Sequence, residues 1–133
     1  MHPWARPVRA DDLASTSVWQ ATHAGATVVW EERADEGQGH GFDNLDPSPM
    51  VRAMYQVDAD WTAVLDGYRR RLADDGWAER QVRDFWWRWS RRLKGAEQID
   101  VIHRLPGPGM FWPSSIREGT TVFEVIYTLN PDA

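Results

Sequence analysis

The chain has 133 residues, enough for one domain that buries about two thirds of its unfolded surface without a disulfide or a metal ion. It contains no cysteine, which excludes disulfides, thiolate zinc sites and cysteine nucleophiles. Its formal net charge of -5 opposes general nucleic-acid binding, because phosphate affinity depends on accumulated positive charge. No apolar run is long enough for a membrane span or a signal peptide, so we expect a cytoplasmic protein.

The first half of the chain carries signals for two helices and two strands. Acidic residues near the start of the first helix and a glycine after its end match the polarity of a helix dipole. The second helix has apolar residues at helical spacing between Asp60, a candidate cap, and Gly76. We predict helices over residues 11–24 and 60–75, strands over residues 26–33 and 50–57, and a loop over residues 34–49.

The second half contains further candidate strands, one of which is ambiguous. Residues 78–94 fit either a helix with an apolar stripe or a strand in which Phe85, Trp87 and Trp89 alternate with polar residues. A strand is favoured, because aromatic side chains lose rotamer freedom in a helix. We predict another strand over residues 99–105. We predict a strand at the centre of the sheet over residues 120–129, since apolar residues occupy both faces of that segment.

One stretch resembles a pattern found in a group of small bacterial proteins. It runs Tyr55-Gln-Val-Asp-Ala-Asp-Trp61, then Val64-Leu65, Tyr68-Arg69, Leu72 and Gly76-Trp77. This order of strand, amphipathic helix and Gly-Trp pair resembles small α+β proteins of GC-rich bacteria that have no assigned activity. The resemblance implies an α+β architecture and carries over no functional residue.

Together these elements predict the fold class. Strands without regular βαβ alternation favour an antiparallel sheet with helices packed on one face. We therefore predict a single small α+β domain over residues 1–133, with an irregular N-terminal arm at residues 1–10. Its sheet should be twisted, mainly antiparallel and built of four to five strands.

No group of residues matches a catalytic or cofactor-binding motif. The four histidines lack the spacing of a helical metal site, and no serine stands in a nucleophile turn. Gly37, Gly39 and Gly41 lie at alternate positions without the Lys-Ser/Thr pair of a phosphate-binding loop. We therefore expect a non-enzymatic protein that holds neither a metal nor a cofactor.

Tryptophan and arginine give the strongest functional signal. Nine tryptophans exceed what a small core can fully bury, so we expect some of them at the surface. Exposed tryptophan beside arginine is typical of interaction sites. The predicted binding surface consists of Trp86, Trp87, Arg88, Trp89, Arg91 and Arg92, extended by Phe111 and Trp112 in a proline-flanked loop.

Several partners fit such a surface. We favour a binding or accessory domain that makes protein-protein contacts, including self-association. Single-stranded nucleic acid and a ring-bearing ligand such as a sugar are competing hypotheses, and the acidity of the chain opposes the first. A further alternative is that most of these rings complete the core beneath arginine stems.

A second hypothesis is a small enzyme or ligand-binding protein with a pocket between helix and sheet. It rests on His40 and Asp43 in a glycine-rich loop, and on His103, which shares a strand face with Ile99 and Val101. Histidine and carboxylate together suit the roles of general base and orienter. The simpler interpretation is a turn around His40 and a core or rim position for His103.

Overall fold

The computed structural model describes residues 8–20, 25–35, 48–92, 95–105 and 113–130. In chain order the elements are α1 (Ala10–Ala14), α2 (Ser17–Gln20), β1 (Thr27–Ala34), β2 (Met50–Val57), α3 (Trp61–Asp74), β3 (Ala78–Arg83), β4 (Trp86–Arg92), β5 (Ala96–Arg104) and β6 (Thr121–Asn130). The strands form one sheet in the order β1-β2-β6-β5-β4-β3, and every neighbouring pair is antiparallel. Strand β6 lies in the middle of the sheet, which confirms its predicted central place.

The sheet has six strands, so the prediction of four to five was wrong. The ambiguous segment accounts for the difference, because it forms a hairpin of two strands, β3 and β4. A turn at Asp84 and Phe85 separates them. The preference for strand over helix in this segment is confirmed.

The predicted N-terminal helix is divided into two short helices. Thr16 lies between them, where its hydroxyl donates to the Leu13 carbonyl at 2.7 Å and accepts from the Trp19 N–H at 3.2 Å. A threonine that bonds its neighbours' backbone in this way ends one helix and begins the next. Leu13 and Trp19 are then both buried against the sheet.

Helix α3 packs across the same side of the sheet with the predicted apolar stripe. Its buried residues are Val64, Leu65, Tyr68 and Leu72. Asp60 is the N-cap residue of the helix, as predicted, but its side chain makes no capping hydrogen bond. After the helix, Gly76 adopts a φ of 82°, a left-handed conformation that suits glycine at a helix C-terminus. None of the helices in the described ranges is long and apolar enough to cross a membrane.

Successive strand residues point to opposite faces, so the sheet has two different sides. The helix-covered face holds the core and includes Val51, Ala53, Tyr55, Trp87, Trp89, Ile99, Val101, Phe123, Val125 and Tyr127. On the other side, here called the open face, no helix of the described part of the chain is packed. One end of the open face meets a loop, because Gln56 donates to the Ser115 carbonyl at 3.0 Å and accepts from the Arg117 N–H at 2.9 Å.

Candidate functional site

The predicted tryptophan and arginine surface is divided between the two faces of the sheet. Trp87 and Trp89 are only 9% and 1% exposed and belong to the core. Trp86 and Arg88 are half-buried on the open face, because strand alternation turns them away from the core. Arg92 is exposed at the end of β4. The run of aromatic residues therefore does not form one surface.

Trp87 and Trp89 are packing residues. The Trp87 ring centroid lies 5.8 Å from that of Trp61, and the Trp89 centroid lies 6.3 Å from that of Tyr68. Both partners come from helix α3, so these tryptophans join the helix to the sheet. For these two rings, the alternative that they complete the core is correct.

On the open face, strand register places side chains in two rows across five strands, from β1 to β4. One row, here called the apolar row, contains Trp30, Met54, Glu124, Ile102 and Trp86. The next row, here called the charged row, contains Glu32, Arg52, Ile126, Asp100 and Arg88. The open face therefore combines aromatic and aliphatic side chains with alternating charges.

The charges of the charged row are paired within the chain. Arg88 lies 2.8 Å from Asp100, and Arg52 lies 3.1 Å from Glu32. The hydrogen bond to Asp100 raises the pKa of Arg88, so this guanidinium stays charged at all ordinary pH values. The row thus contains two cations and two anions, and its net charge is zero.

A third ion pair lies at the middle of the open face. Arg104 approaches the Glu124 carboxylate at 2.8 Å, and Glu124 is 3% exposed although no described helix covers it. Long neighbouring side chains shield it, and the Arg52 guanidinium lies 3.9 Å from its second oxygen. The open face therefore carries a buried carboxylate that its own arginines neutralise.

Two of these arginines lie over tryptophan rings. The Arg52 guanidinium carbon is 5.1 Å from the Trp30 ring centroid, and that of Arg88 is 5.3 Å from the Trp86 centroid. Such contacts hold the flat guanidinium and indole groups in place. The indole N–H of Trp86 is buried but finds no hydrogen-bond acceptor among the described residues.

Arg91 belongs to a different cluster, on the helix-covered face. It binds the Glu97 carboxylate at 2.8 Å, and the Tyr127 hydroxyl donates to the same carboxylate at 2.7 Å. The guanidinium also lies 4.4 Å from the Trp77 ring centroid. Burial and the hydrogen bond to Glu97 raise the pKa of Tyr127, so its hydroxyl remains protonated. The Glu97 carboxylate thus accepts hydrogen bonds from both the Arg91 guanidinium and the Tyr127 hydroxyl.

This cluster lies at the floor of a cleft of about 680 Å³ between the N-terminal helices and the sheet. Val8, Leu13 and Val18 contribute apolar walls, and Asp12 and Asp75 contribute carboxylates. A concave space with a few converging polar groups is typical of small-molecule sites. The helix–sheet pocket of the second hypothesis therefore has a counterpart, with Arg91, Glu97 and Tyr127 as its polar residues.

His103 lies near the other end of β5, away from this cleft. It shares the helix-covered face with Ile99 and Val101, as predicted, and stacks on Trp61 with ring centroids 4.6 Å apart. Burial lowers the pKa of His103, which favours the neutral imidazole. The structure therefore places His103 in an aromatic cluster with Trp61 and Phe85. His40, Asp43, Phe111 and Trp112 lie outside the described residues.

Several residues of the open face were not anticipated from the sequence, among them Trp30, Arg52, Met54, Ile102 and Glu124. Their alternation with core residues was visible within each strand. The residues that share a row are determined by the order of the strands in the sheet and by the register of each strand pair. That information comes from long-range pairing, which local periodicity does not contain.

No family model, curated protein or solved structure matches the chain. In the ranges that the structure describes, no three His, Asp or Glu side chains converge as a metal site would require. The open face and the helix–sheet cleft are the two candidate sites.

Proposed function

We propose that the chain is a non-enzymatic protein-binding domain and that the open face of the sheet is its interface. The observation that carries the proposal is the apolar row, in which Trp30, Met54, Ile102 and Trp86 lie on a sheet face that no described helix covers. Apolar side chains grouped on a sheet face that no described helix covers are typical of interaction surfaces. Tryptophan and arginine are also the residues that dominate binding energy at interfaces.

The paired charges favour a protein over a nucleic acid as the partner. Arg52, Arg88 and Arg104 each bind a carboxylate of the same chain. Phosphate binding would have to compete with these carboxylates, and nucleic-acid affinity depends on unpaired positive charge. A protein surface, in contrast, can cover paired ions without leaving any of them uncompensated.

Trp86 is the aromatic residue at the β4 end of the apolar row. The Trp86 indole N–H is buried without an acceptor in the described part of the chain. Because that N–H is inaccessible to solvent, a partner would contact the rest of the ring and bury its apolar surface. Trp86 is therefore expected to contribute strongly to binding.

The test is capture of partners from the native cell by the tagged chain and by two variants. Ile102→Arg adds a cation to the apolar row, and Ala63→Arg adds the same cation to an exposed position on helix α3. Each captured protein is then purified, and its affinity for all three chains is measured. We expect Ile102→Arg to weaken binding at least about 10-fold, or about 1.4 kcal/mol, and Ala63→Arg to leave it unchanged. Equal affinity for all three chains would contradict the proposal.

The helix–sheet cleft favours a second candidate function, the binding of a small molecule. Its lining includes three carboxylates, from Asp12, Asp75 and Glu97, and one guanidinium, from Arg91. This balance favours a ligand with an amine or another cationic group over an anion. A panel of small amines should raise the melting temperature of the chain and do so less for Asp75→Asn. An unchanged melting temperature with every amine would exclude this candidate.

A further inference from the structure

We infer that the partner covered by the open face is a second copy of this chain, packed face to face about a two-fold axis that runs along β6. The inference rests on the proposed function, because it assigns an occupant to the same face. Three features carry it: the sign pattern of the charged row, the shape of the apolar row and the size of the face.

The charged row complements itself about this axis. From β1 to β4 its order is Glu32, Arg52, Ile126, Asp100 and Arg88, with β6 at the centre. A two-fold axis along β6 reverses that order in the second copy. Glu32 then faces Arg88 of the second copy, Arg52 faces its Asp100, and Ile126 faces Ile126. The four charged side chains of the row then each lie opposite one of the other sign, with Asp100 itself only 5% exposed.

Other placements of the axis lack this match. An axis across the strands within the charged row would place each residue on itself, so that Glu32 would face Glu32 and Arg52 would face Arg52. Like charges placed together cost several kcal/mol at an interface. The sign pattern therefore favours the axis along β6 over an axis within the charged row, and the strands of the two sheets are then nearly aligned, as in common sheet-on-sheet packing.

The apolar row fits the same arrangement. The axis brings Trp30 opposite Trp86 of the second copy and Met54 opposite its Ile102, so rings and aliphatic chains pack on one another. Glu124 is the central residue of the row and would face its own copy. It is only 3% exposed and bound by Arg104, so its charge is already covered and neutralised.

The size of the face and the charge of the chain also agree with a second copy. The two rows and the next row along the strands, which contains Ala34, Met50, Thr128, Gln98 and Ser90, span five strands at about 4.8 Å spacing and give a footprint of roughly 500 Å² in projection. A standard interface buries about 800 Å² of accessible surface per partner, so this footprint corresponds to a small interface and a weak dimer. Each copy has a net charge of -5, so two copies repel each other overall, and contact through a charged row of zero net charge adds no further repulsion.

The test exchanges charges within each intrachain pair. One variant carries Arg88→Glu with Asp100→Arg, and the other carries Glu32→Arg with Arg52→Glu. Each keeps its cross-strand ion pair but reverses the order of signs on one side of β6. In either variant alone, every charge of the row faces its like across the axis. When the two variants are mixed, every charge faces its opposite.

Sedimentation of the pure chain across a concentration series gives the readout, with folding checked by circular dichroism. We expect the unmodified chain to form dimers, each exchange variant alone to weaken dimerisation at least about 10-fold, or about 1.4 kcal/mol, and an equal mixture to restore it as heterodimer. Ile102→Arg, a single substitution, should also give monomers and serves as the second test if an exchange variant does not fold.

The outcomes separate this inference from the proposed function. Dimers that persist in Ile102→Arg and in both exchange variants would overturn the arrangement. A chain that stays monomeric at all concentrations would overturn the second copy as occupant. If the monomeric chain captured another protein and Ile102→Arg did not, the protein-binding function would stand with a different partner. Monomers without any captured protein would overturn both.

Discussion

The two faces of the sheet are built from the same strands and contain the same kinds of residue, yet they use them differently. On the helix-covered face Trp89 is 1% exposed and packs on Tyr68 of helix α3. On the open face Trp86 packs on Arg88, and its N–H has no acceptor among the described residues. A tryptophan inside a complete core stabilises the fold, whereas a half-buried one on a face that no described helix covers can also contact a partner.

The ion pairs repeat this contrast. Arg91, Glu97 and Tyr127 are bonded together on the helix-covered face, at the floor of the cleft. The pair Arg88–Asp100 on the open face has equally short bonds, but it lies in a row whose signs alternate across the sheet. The first arrangement holds elements of the fold together, and the second gives the surface a pattern that another surface can match.

The largest effect that separates the two faces is expected from tryptophan truncation. Trp89→Ala should lower the free energy of unfolding by about 3–5 kcal/mol, because it removes a fully buried ring from a packed core. Trp86→Ala should lower it by about 1 kcal/mol, since that ring is already partly in water. Urea denaturation of both variants, made under conditions where the chain is monomeric, measures the difference. Equal losses would mean that the open face is as much a core as the other.

A smaller effect is expected from the arginine of the cleft. Arg91→Met should destabilise the chain by about 2–4 kcal/mol, because it leaves the Glu97 carboxylate buried without its cation. Arg92→Met, one residue along on the exposed end of β4, should change stability by less than about 0.5 kcal/mol. Thermal and urea unfolding compare the two. A loss for Arg92→Met as large as that for Arg91→Met would contradict the role assigned to the cluster.

The glycine that ends helix α3 should matter less. Gly76 has a φ of 82°, and a side chain there would meet no other atom within 4 Å. Gly76→Ala therefore tests backbone strain alone, and we expect a loss of about 1–2 kcal/mol in unfolding free energy. The same substitution should leave dimerisation unchanged, since the helix lies on the side away from the open face. A shift in the dimer equilibrium would show that the two faces are coupled.

The smallest effect concerns pH. Burial lowers the pKa of His103 below its ordinary value of about 6.5, so the unfolded chain binds a proton more readily than the folded one. The contribution of His103 to the free energy of unfolding is therefore fully present above about pH 6.5. It is lost as the pH falls through the pKa of His103 in the folded chain, which lies below 6.5. His103→Phe keeps a ring against Trp61 and should remove this part of the pH dependence. Urea unfolding at neutral and mildly acidic pH measures it, and an unchanged slope in His103→Phe would be the contrary result.

Much of the fold follows from local sequence patterns. The alternation in β2 and β6 and the helical spacing of Val64, Leu65, Tyr68 and Leu72 are strong signals, and these elements lie close to where they were predicted. The break at Thr16 was missed, because a side chain that bonds the backbone competes with helix continuation in a way that spacing does not show.

The open face could be predicted from local sequence patterns only in part. Alternation alone separates Trp87 and Trp89 from Trp86, but it does not say which face the helices cover. The two rows of the open face depend on the pairing of β2 with β6 and of β6 with β5, which are far apart in the chain. The sequence therefore indicated the right residue types, while the arrangement that makes them a surface required the register.

Cysteine cross-linking tests most directly whether the open face of one copy lies on that of another about an axis along β6. The chain has no cysteine, so Thr128→Cys places a single thiol on β6, on the proposed axis, and Thr62→Cys places one on the exposed side of helix α3. With a short bismaleimide, Thr128→Cys should give a covalent dimer and Thr62→Cys should stay monomeric. Efficient cross-linking at Thr62→Cys, or none at Thr128→Cys at concentrations where dimers sediment, would contradict the account.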